Sequence, residues 1–508
     1  MISGIRFIRR NIISNVIGVV VPAIAWLIAV PILVHSLGEQ AYGIYIIALS
    51  FAGVLGFLEL GLTSAATKFI AEVDTRQNPD KLGLIISSNL AIYVGMGGCI
   101  ALVCLVFAPE IALFLFNDTD LSLNELSLIV RLIGVLLALT LLRDALSAVP
   151  RGFQRFDIYN GIQIFYGVAL TLAQLAIILR GGHVVELMLV QIVITLVSLV
   201  GFILAIRYLI PGIRLLRFPD GVILKVMFTF GIYMMAINLG ATLLHNLDKV
   251  MVGWIMGSEG VAYYSIPAQI AFKIHTGLAL IVSFIFPLSS EAQSVGDSPT
   301  LRNIFLQGMR LIMLVDGLMM VFLGTFAHQI LSIWIDPGFA LSSAPILVFT
   351  SIGYFIFALS IIPFNMLVGM GYPRQMAVLN TLAAISVVLG LMVGLSVSGL
   401  IGGSIGVVIG MCAMIALPWY LQRKLDVSWA MAYKKSYGKT FICTVGGILI
   451  SLALPQDLLI RFIYFICFSI TLLLFGNTSH EDWVKIQNVF QKVFSLTSVV
   501  FNRSSQKF

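Results

Sequence analysis

The feature that most constrains this chain is a succession of apolar segments, each about as long as a membrane-spanning helix. Hydrophobic residues make up 59% of the 508 residues and charged residues only 10%, against roughly 25% in a typical soluble domain. A soluble fold cannot bury so much apolar side chain, and a helix needs about 20 apolar residues to cross the hydrocarbon core. The sequence therefore predicts an all-α integral membrane protein with many spans.

About fourteen transmembrane helices are predicted, separated by short connections. Basic residues concentrate in every second connection and towards both termini, whereas the opposite connections are mainly acidic. Basic loops usually remain on the cytoplasmic side, so the alternation predicts both termini in the cytoplasm. The predicted spans are 12–36, 41–65, 83–107, 125–149, 158–180, 184–209, 226–255, 261–288, 303–328, 343–368, 374–397, 400–422, 438–455 and 459–475.

An internal repeat is visible at one offset of 219 residues. Gly38 and Tyr45 recur as Gly257 and Tyr264, and the turn that begins at Gly152 recurs at Gly371. Both sets occupy matching places in the topology, which indicates two six-helix lobes related by a pseudo-two-fold axis along the membrane normal. The predicted divisions are an N-lobe (1–217, helices 1–6), a C-lobe (218–425, helices 7–12), helices 13–14 (426–475) and a cytoplasmic amphipathic tail (476–508).

Polar residues inside predicted helices seven and eight are the first candidates for a functional site. Asn238, His245 and Lys249 share one helical face, and Gln269 and Lys273 share a face of the next helix. An ionised group in hydrocarbon costs about 3 kcal/mol on insertion scales, so such residues usually face a bundle interior or a wet cavity. The spacing predicts a polar, cationic wall inside the bundle.

Other intramembrane charges are candidates for gating or coupling. Glu59 in helix two is either a protonatable coupling group or a carboxylate bonded to a neighbouring helix. Asp248 precedes Lys249 but lies about 100° away around the helix, so the two need not pair. The remaining candidates have two possible roles. They form ion pairs between the lobes at an inner gate, or they snorkel or pair within one lobe. These residues are Arg310, Asp316, Arg143 and Asp144.

Several motifs carry a family resemblance. They are residues 31–43 (PILVHSLGEQAYG), Leu58–Leu62 (LELGL), residues 151–160 (RGFQRFDIYN), Asp248 with Gly257 and Tyr264, and Pro287. In this order the motifs resemble the polysaccharide-transporter family of lipid-linked oligosaccharide (O-antigen type) flippases, within the superfamily of multidrug and oligosaccharidyl-lipid exporters. The resemblance covers nearly the whole chain.

The resemblance implies a non-enzymatic protein of the bacterial inner membrane that moves undecaprenyl-pyrophosphate-linked oligosaccharide. Two lobes would form a V around a central cavity. Fixed cations in a hydrated cavity lower the cost of moving a pyrophosphate across a low-dielectric slab. Lys273 is the first choice for that cation, with Lys249, His245, Asn238 and Gln269 as further ligands. Membrane lipids, a polysaccharide polymerase and glycosyltransferases are the other partners expected.

Three alternatives remain at the level of sequence. A cation-coupled multidrug antiporter would need a cavity rich in carboxylates and aromatic rings. Glu59 and Asp248 are such carboxylates, so this alternative remains. A lipid II flippase would have the same architecture. A membrane glycan polymerase or ligase is disfavoured because the short loops offer no catalytic constellation. No metal, cofactor or nucleic-acid partner is predicted, and five scattered cysteines do not suggest a disulfide framework.

Overall fold

The structure is a computed structural model that describes residues 2–59, 61–73, 79–116, 119, 121–212, 218–229, 231 and 246–475. Every regular element in these residues is helical. The predicted tail and much of predicted helix seven lie outside them. Eight described helices are long and apolar enough to span a membrane, or nine if one bent pair is a single span. The all-α membrane fold is confirmed, whereas the count of fourteen is not.

Two groups of helices follow one another along the chain. We call the first eight the N-lobe: α1 (Ile2–Leu37), α2 (Glu39–Leu55), α3 (Leu62–Glu72), α4 (Pro79–Val106), α5 (Ala108–Leu115), α6 (Leu123–Gly152), α7 (Phe156–Ile178) and α8 (Val184–Leu209). We call the next eight the C-lobe: α9 (Asp248–Ile281), α10 (Ile285–Ser294), α11 (Ser298–Thr325), α12 (Ala327–Trp334), α13 (Pro337–Ala358), α14 (Ile361–Gly369), α15 (Pro373–Met411) and α16 (Ala416–Lys424). Three shorter helices follow: α17 (Trp429–Lys435), α18 (Gly438–Ala453) and α19 (Leu458–Phe475).

Local signals in the sequence set several of these helix boundaries. Ser122 and Glu125 form a reciprocal capping box at the start of α6. Asp297 and Asp336 accept hydrogen bonds from the first turns of α11 and α13, and each helix has a proline at its beginning. The bonds from Thr300 hold the pKa of the exposed Asp297 carboxylate below its usual value. Caps of this kind fix where a span begins even when the whole neighbourhood is apolar.

The helix boundaries support the internal repeat. α4 and α5 span Pro79–Val106 and Ala108–Leu115, and α11 and α12 begin and end 219 residues later at each of the four positions. Gly38 and Gly257 also share a left-handed backbone, with φ of 79° and 75°, which residues with a Cβ rarely adopt. Gly257 divides α9 into two helices at that point. Equal boundaries at equal spacing favour a duplicated six-helix unit.

The buried apolar residues show where the lobes meet. One cluster joins Ala29–Ala48 of the N-lobe to the core of the C-lobe, and a second cluster around Leu62, Leu82 and Leu146 consists of N-lobe residues together with Met227. The shared core lies where α2 packs along α9, close to Gly38 and Gly257. We call this the closed end of the bundle, and the other end the distal end. Each lobe keeps its own core towards the distal end.

Helices α18 and α19 are attached to the outside of the C-lobe. α18 packs along α11, and in the connection that precedes α18 the Ser436 hydroxyl donates to the Leu306 carbonyl of α11 at 2.7 Å. Arg461 of α19 is 4% exposed and donates to the carbonyls of Thr325, Leu454 and Pro455. A buried guanidinium that satisfies three carbonyls fixes α19 to the end of α11.

Candidate functional site

The closed end is built from backbones in very close contact. A Cβ added to Gly43 of α2 would lie 1.7 Å from the carbonyl oxygen of Ser258 in α9, so only glycine fits there. One helical level deeper, a Cβ on Gly253 would lie 2.7 Å from the Ile47 side chain. Small residues allow helices in membranes to approach at this distance, and here they hold the two lobes together.

Aromatic and polar side chains continue this seal across α1 and α12. The Trp334 indole donates to the Leu27 carbonyl at 2.9 Å, and its ring lies 5.6 Å from that of Trp26. His35 Nε2 lies 2.7 Å from the Ile335 carbonyl oxygen. α12 follows directly on the α11 span, so the duplicated short helix is what closes this side of the bundle.

Lys273 lies at the boundary between the lobes. Its Nζ is 4.3 Å from the ring centroid of Trp26 in α1, a cation–π contact across the interface. Gln269 lies one turn earlier on the same face of α9, and both side chains are partly exposed. Within the described residues no carboxylate is paired with Lys273. A partly exposed cation held only by an aromatic face is available to an anionic ligand.

Lys249 is in a different environment. Its Nζ lies 3.0 Å from Asp248 Oδ1, and both side chains are buried. The expectation that these neighbours need not pair is wrong, because a lysine side chain is long enough to reach back around 100° of helix. This pairing makes Lys249 a much poorer candidate than Lys273 for a substrate cation.

A cavity of about 250 Å³ opens within the C-lobe, and two residues that line it, Phe272 and Thr276, lie on either side of Lys273 in α9. It is bounded by α9, α13, α14, α15 and the turn at Ser360, towards the distal end of the bundle. The His275 and Phe357 rings stack on one side, with centroids 4.3 Å apart. The lining residues are Phe272, His275, Thr276, Ala279, Phe357, Ser360, Ile361, Phe364, Asn365 and Asn380. Nothing in the sequence pattern brought these residues together, since those of α9 (272–279) are far along the chain from the others (357–380).

A polar cluster occupies the interior of the N-lobe. Glu59 accepts a hydrogen bond from Tyr93 at 3.2 Å, and the Tyr93 hydroxyl is 2.6 Å from that of Thr63. This contact corresponds to one of the two alternatives for Glu59, a carboxylate bonded to a neighbouring helix. Arg143 pairs with Asp144 at 3.7 Å within α6. Both residues belong to the N-lobe, so this is a pair within one lobe and not an ion pair between the lobes.

The remaining predicted residues are placed as follows. Asp316 of α11 is fully buried, and neither carboxylate oxygen has a hydrogen-bond partner among the described residues. Arg310 lies on the same helix and is half-buried. Asn238 and His245 lie outside the described residues. Sequence reasoning missed Trp26, Trp334 and the cavity, because contacts between distant helices leave no local signal.

A match to a family model shows which protein family the chain belongs to. The family model described as "Polysaccharide biosynthesis protein" matches residues 8–293, more than half of the chain.

The chain belongs to the polysaccharide biosynthesis protein family.

Two relatives of this family member are similar along most of their length. A Shigella flexneri protein named "Putative O-antigen transporter" is 25% identical over 388 residues, 73% of this chain and 87% of the relative. An uncharacterized membrane protein of Methanocaldococcus jannaschii is 22% identical over 370 residues, 69% of this chain and 71% of the relative. The Shigella name describes a transport protein, in agreement with the non-enzymatic role predicted from the sequence.

Solved structures confirm the transporter fold of this family member. The lipid II flippase MurJ, in an inward closed conformation, has a TM-score of 0.67 at 12% identity, over 92% of this chain and 99% of that one. An inward-facing multidrug resistance transporter of the MATE family has a TM-score of 0.66 at 15% identity, over 81% of this chain and 98% of that one. The chain therefore has the same fold as these two proteins, and it is a multi-pass membrane protein.

Proposed function

We propose that this protein is a flippase that translocates undecaprenyl-pyrophosphate-linked oligosaccharide across the bacterial inner membrane for polysaccharide biosynthesis. Its family and the transporter name of its Shigella flexneri relative support a role in export of polysaccharide precursors. The fold it shares with MurJ is compatible with a lipid-linked cargo. O-antigen, capsule and exopolysaccharide units all have the same pyrophosphate chemistry.

The observation that carries the proposal is the position of Lys273. It lies well inside a membrane-embedded helix, at the junction of the lobes, with an aromatic ring and no described carboxylate as its neighbour. Placing a lysine there without a counter-ion is costly. A pyrophosphate that enters between the lobes would supply the missing counter-charge, and the partly exposed Gln269 one turn away could donate to a phosphate oxygen.

Alternating access follows from where the lobes touch. α2 and α9 seal one end, while each lobe keeps a separate core towards the distal end. With both termini in the cytoplasm, the closed end faces away from the cytoplasm and the head group enters from the distal end. Rocking of the two lobes about the level of Lys273 would then expose it to the other side.

The candidate gating and coupling residues lie at positions that fit this scheme. Asp248 lies where α9 meets α2, Glu59 and the Arg143–Asp144 pair lie within the N-lobe, and Asp316 lies within the C-lobe. Protonation or cation binding at any of these groups could bias the equilibrium between states. The neutral variant of each, assayed for export at several external pH values, separates coupling from packing.

Export by a strain that lacks the gene tests the proposal. Complementation with the wild-type gene should restore surface glycan and clear lipid-linked units from the inner membrane. Lys273→Ala should restore neither at normal protein abundance, Lys273→Arg should restore part, and Lys439→Ala, a basic residue at the start of α18, should behave as wild type. Full export with Lys273→Ala would remove this residue from the mechanism.

The same strain separates the alternatives. Loss of viability on deletion, rescued by a lipid II flippase, would indicate a cell-wall precursor as cargo. Unchanged glycan together with drug sensitivity would indicate a multidrug antiporter. Either result would overturn the proposed cargo while leaving the membrane fold intact.

A further inference from the structure

The C-lobe cavity beside Lys273 has the chemistry of a site for an uncharged sugar. The described polar side chains that line it are two amides, two hydroxyls and one imidazole, and neither Lys, Arg, Asp nor Glu is among these described residues. The apolar part of its wall is mainly aromatic, with Phe272, Phe357 and Phe364. A sugar ring presents hydroxyls at its edge and C–H groups on its faces, so it needs this combination and no charge.

The hydrogen bonds already present leave suitable groups for a ligand. The Ser360 hydroxyl donates to the Phe357 carbonyl at 2.7 Å and the Thr276 hydroxyl to the Phe272 carbonyl at 2.9 Å, so each oxygen can still accept a bond. Asn365 uses one amide hydrogen on the Ile361 carbonyl, which leaves its carbonyl oxygen as an acceptor. The amide of Asn380 is partly exposed at the wall and can both donate and accept.

The size of the cavity limits what it can hold. Its volume of about 250 Å³ lies below the roughly 300–1,000 Å³ of sites that enclose a whole drug-sized ligand. An oligosaccharide repeat unit is larger than that, so the cavity suits one ring of the unit. A cation-coupled drug site is disfavoured because the described part of the lining contains no carboxylate.

The position of the cavity indicates which ring it would receive. Phe272 and Thr276 flank Lys273 on α9, and side chains three residues apart on a helix are about 5–6 Å apart. A pyrophosphate bound at Lys273 would therefore hold its directly attached sugar next to Thr276. The other sugars of the unit would extend into the space between the lobes.

We infer that this cavity is a saccharide subsite that recognises the sugar attached to the pyrophosphate, and so contributes to cargo selection. The inference rests on the proposed function and adds a specificity element to it. Lys273 binds the part common to all such lipids, whereas the amide and hydroxyl groups of the cavity discriminate between them. A missing or misplaced hydroxyl leaves a polar group of the cavity without its partner, which costs affinity.

Binding to short-chain analogues tests this division of roles. The probes are geranyl pyrophosphate and geranyl-pyrophosphate-linked glucose, galactose, N-acetylglucosamine, N-acetylgalactosamine and fucose, titrated against the full chain in lipid nanodiscs. The wild type should bind at least one sugar-bearing probe ten or more times more tightly than geranyl pyrophosphate. Asn380→Ala with Ser360→Ala should reduce that ratio about tenfold, with affinity for geranyl pyrophosphate within twofold of wild type.

A filling variant and its neighbour provide the control. Ala279→Phe places a ring inside the cavity and should abolish sugar preference, whereas Leu280→Phe, on another face of α9, should preserve it. Equal loss of affinity for sugar-bearing and sugar-free probes in the cavity variants would overturn the inference, as would a wild type without sugar preference. Failure of geranyl pyrophosphate to bind, with no effect of Lys273→Ala, would instead count against the proposed function itself.

Discussion

At the scale of single residues, the Asp248–Lys249 ion pair is a position where the C-lobe should be sensitive to substitution. Both side chains are buried and lie 3.0 Å apart, so either one alone would be an uncompensated charge. Removing one partner of a buried pair costs about 3–5 kcal/mol. We expect Lys249→Ala to lower the thermal unfolding midpoint of the detergent-solubilised protein sharply. Replacing both residues with alanine should recover much of the loss.

An unfolding midpoint of Lys249→Ala equal to that of wild type would show that the pair does not stabilise the lobe. The same measurement separates the two lysines. Lys273→Ala leaves no described carboxylate unpaired, so its midpoint should stay close to that of wild type while its transport is lost.

The residue scale also shows what the sequence could and could not predict. The stripe of Gln269 and Lys273 follows from helical periodicity, which is a local property. The contact of Lys273 with Trp26 joins positions 247 residues apart, and it depends on the packing of the two lobes. The pairing of Lys249 with Asp248 depends on side-chain length and burial, which backbone angle alone does not describe.

At the scale of elements, the packing of α2 against α9 is what holds the closed end together. A methyl group at Gly43 would overlap the Ser258 backbone, whereas one at Gly95 in α4 would have no atom within 4 Å. We expect Gly43→Ala to separate the helices and increase labelling of a cysteine at Ile47 by a membrane-impermeant thiol reagent. Gly95→Ala, with the same change in composition, should leave labelling unchanged.

If Gly43→Ala leaves the labelling of the cysteine at position 47 unchanged, the close approach of α2 and α9 at Gly43 is contradicted. The assay needs a background without the five free cysteines, three of which are exposed. Because none of the five is in a disulfide, their replacement should not remove a covalent link.

The attachment of α19 depends on Arg461. Its guanidinium donates to the carbonyls of Thr325, Leu454 and Pro455, and a buried carbonyl without a partner costs about 1–3 kcal/mol. Arg461→Ala should therefore free α19 from α11 and increase proteolysis in the connection 454–457. Arg461→Lys should give an intermediate result, since an ammonium cannot span three carbonyls in one plane. Cleavage equal to wild type in both variants would show that α19 is held by apolar contacts alone.

Element boundaries were predictable where the sequence carries caps and breaks. The predicted spans 83–107 and 303–328 correspond to α4 and α11, which begin near Pro79 and Ser298. The short helices α5 and α12 were missed, because a helix of eight residues that begins directly after a span is too short to show a periodicity of its own. Their 219-residue spacing becomes visible only once their boundaries are known.

At the scale of the whole molecule, rocking of the lobes predicts opposite changes at the two ends. Spin labels at Leu113 and Ile333, both exposed near the closed end, should be close together in this state. Labels at Gln154 and Arg374, both exposed at the distal end, should be far apart. Addition of lipid-linked cargo should populate a second state in which the first distance is longer and the second shorter. Two distances that change in the same direction would contradict a rocking mechanism.

Transport by purified protein tests the central claim most directly, namely that a head group crosses between the lobes past Lys273. Lipid-linked units extracted from the deletion strain are labelled with a fluorophore on the sugar and incorporated into proteoliposomes. Dithionite, which cannot cross the membrane, then reports how much label reaches the outer leaflet. Wild-type protein should make nearly all the label accessible, Lys273→Arg should do so more slowly, and Lys273→Ala should match protein-free vesicles. Full accessibility at the wild-type rate with Lys273→Ala would contradict the account.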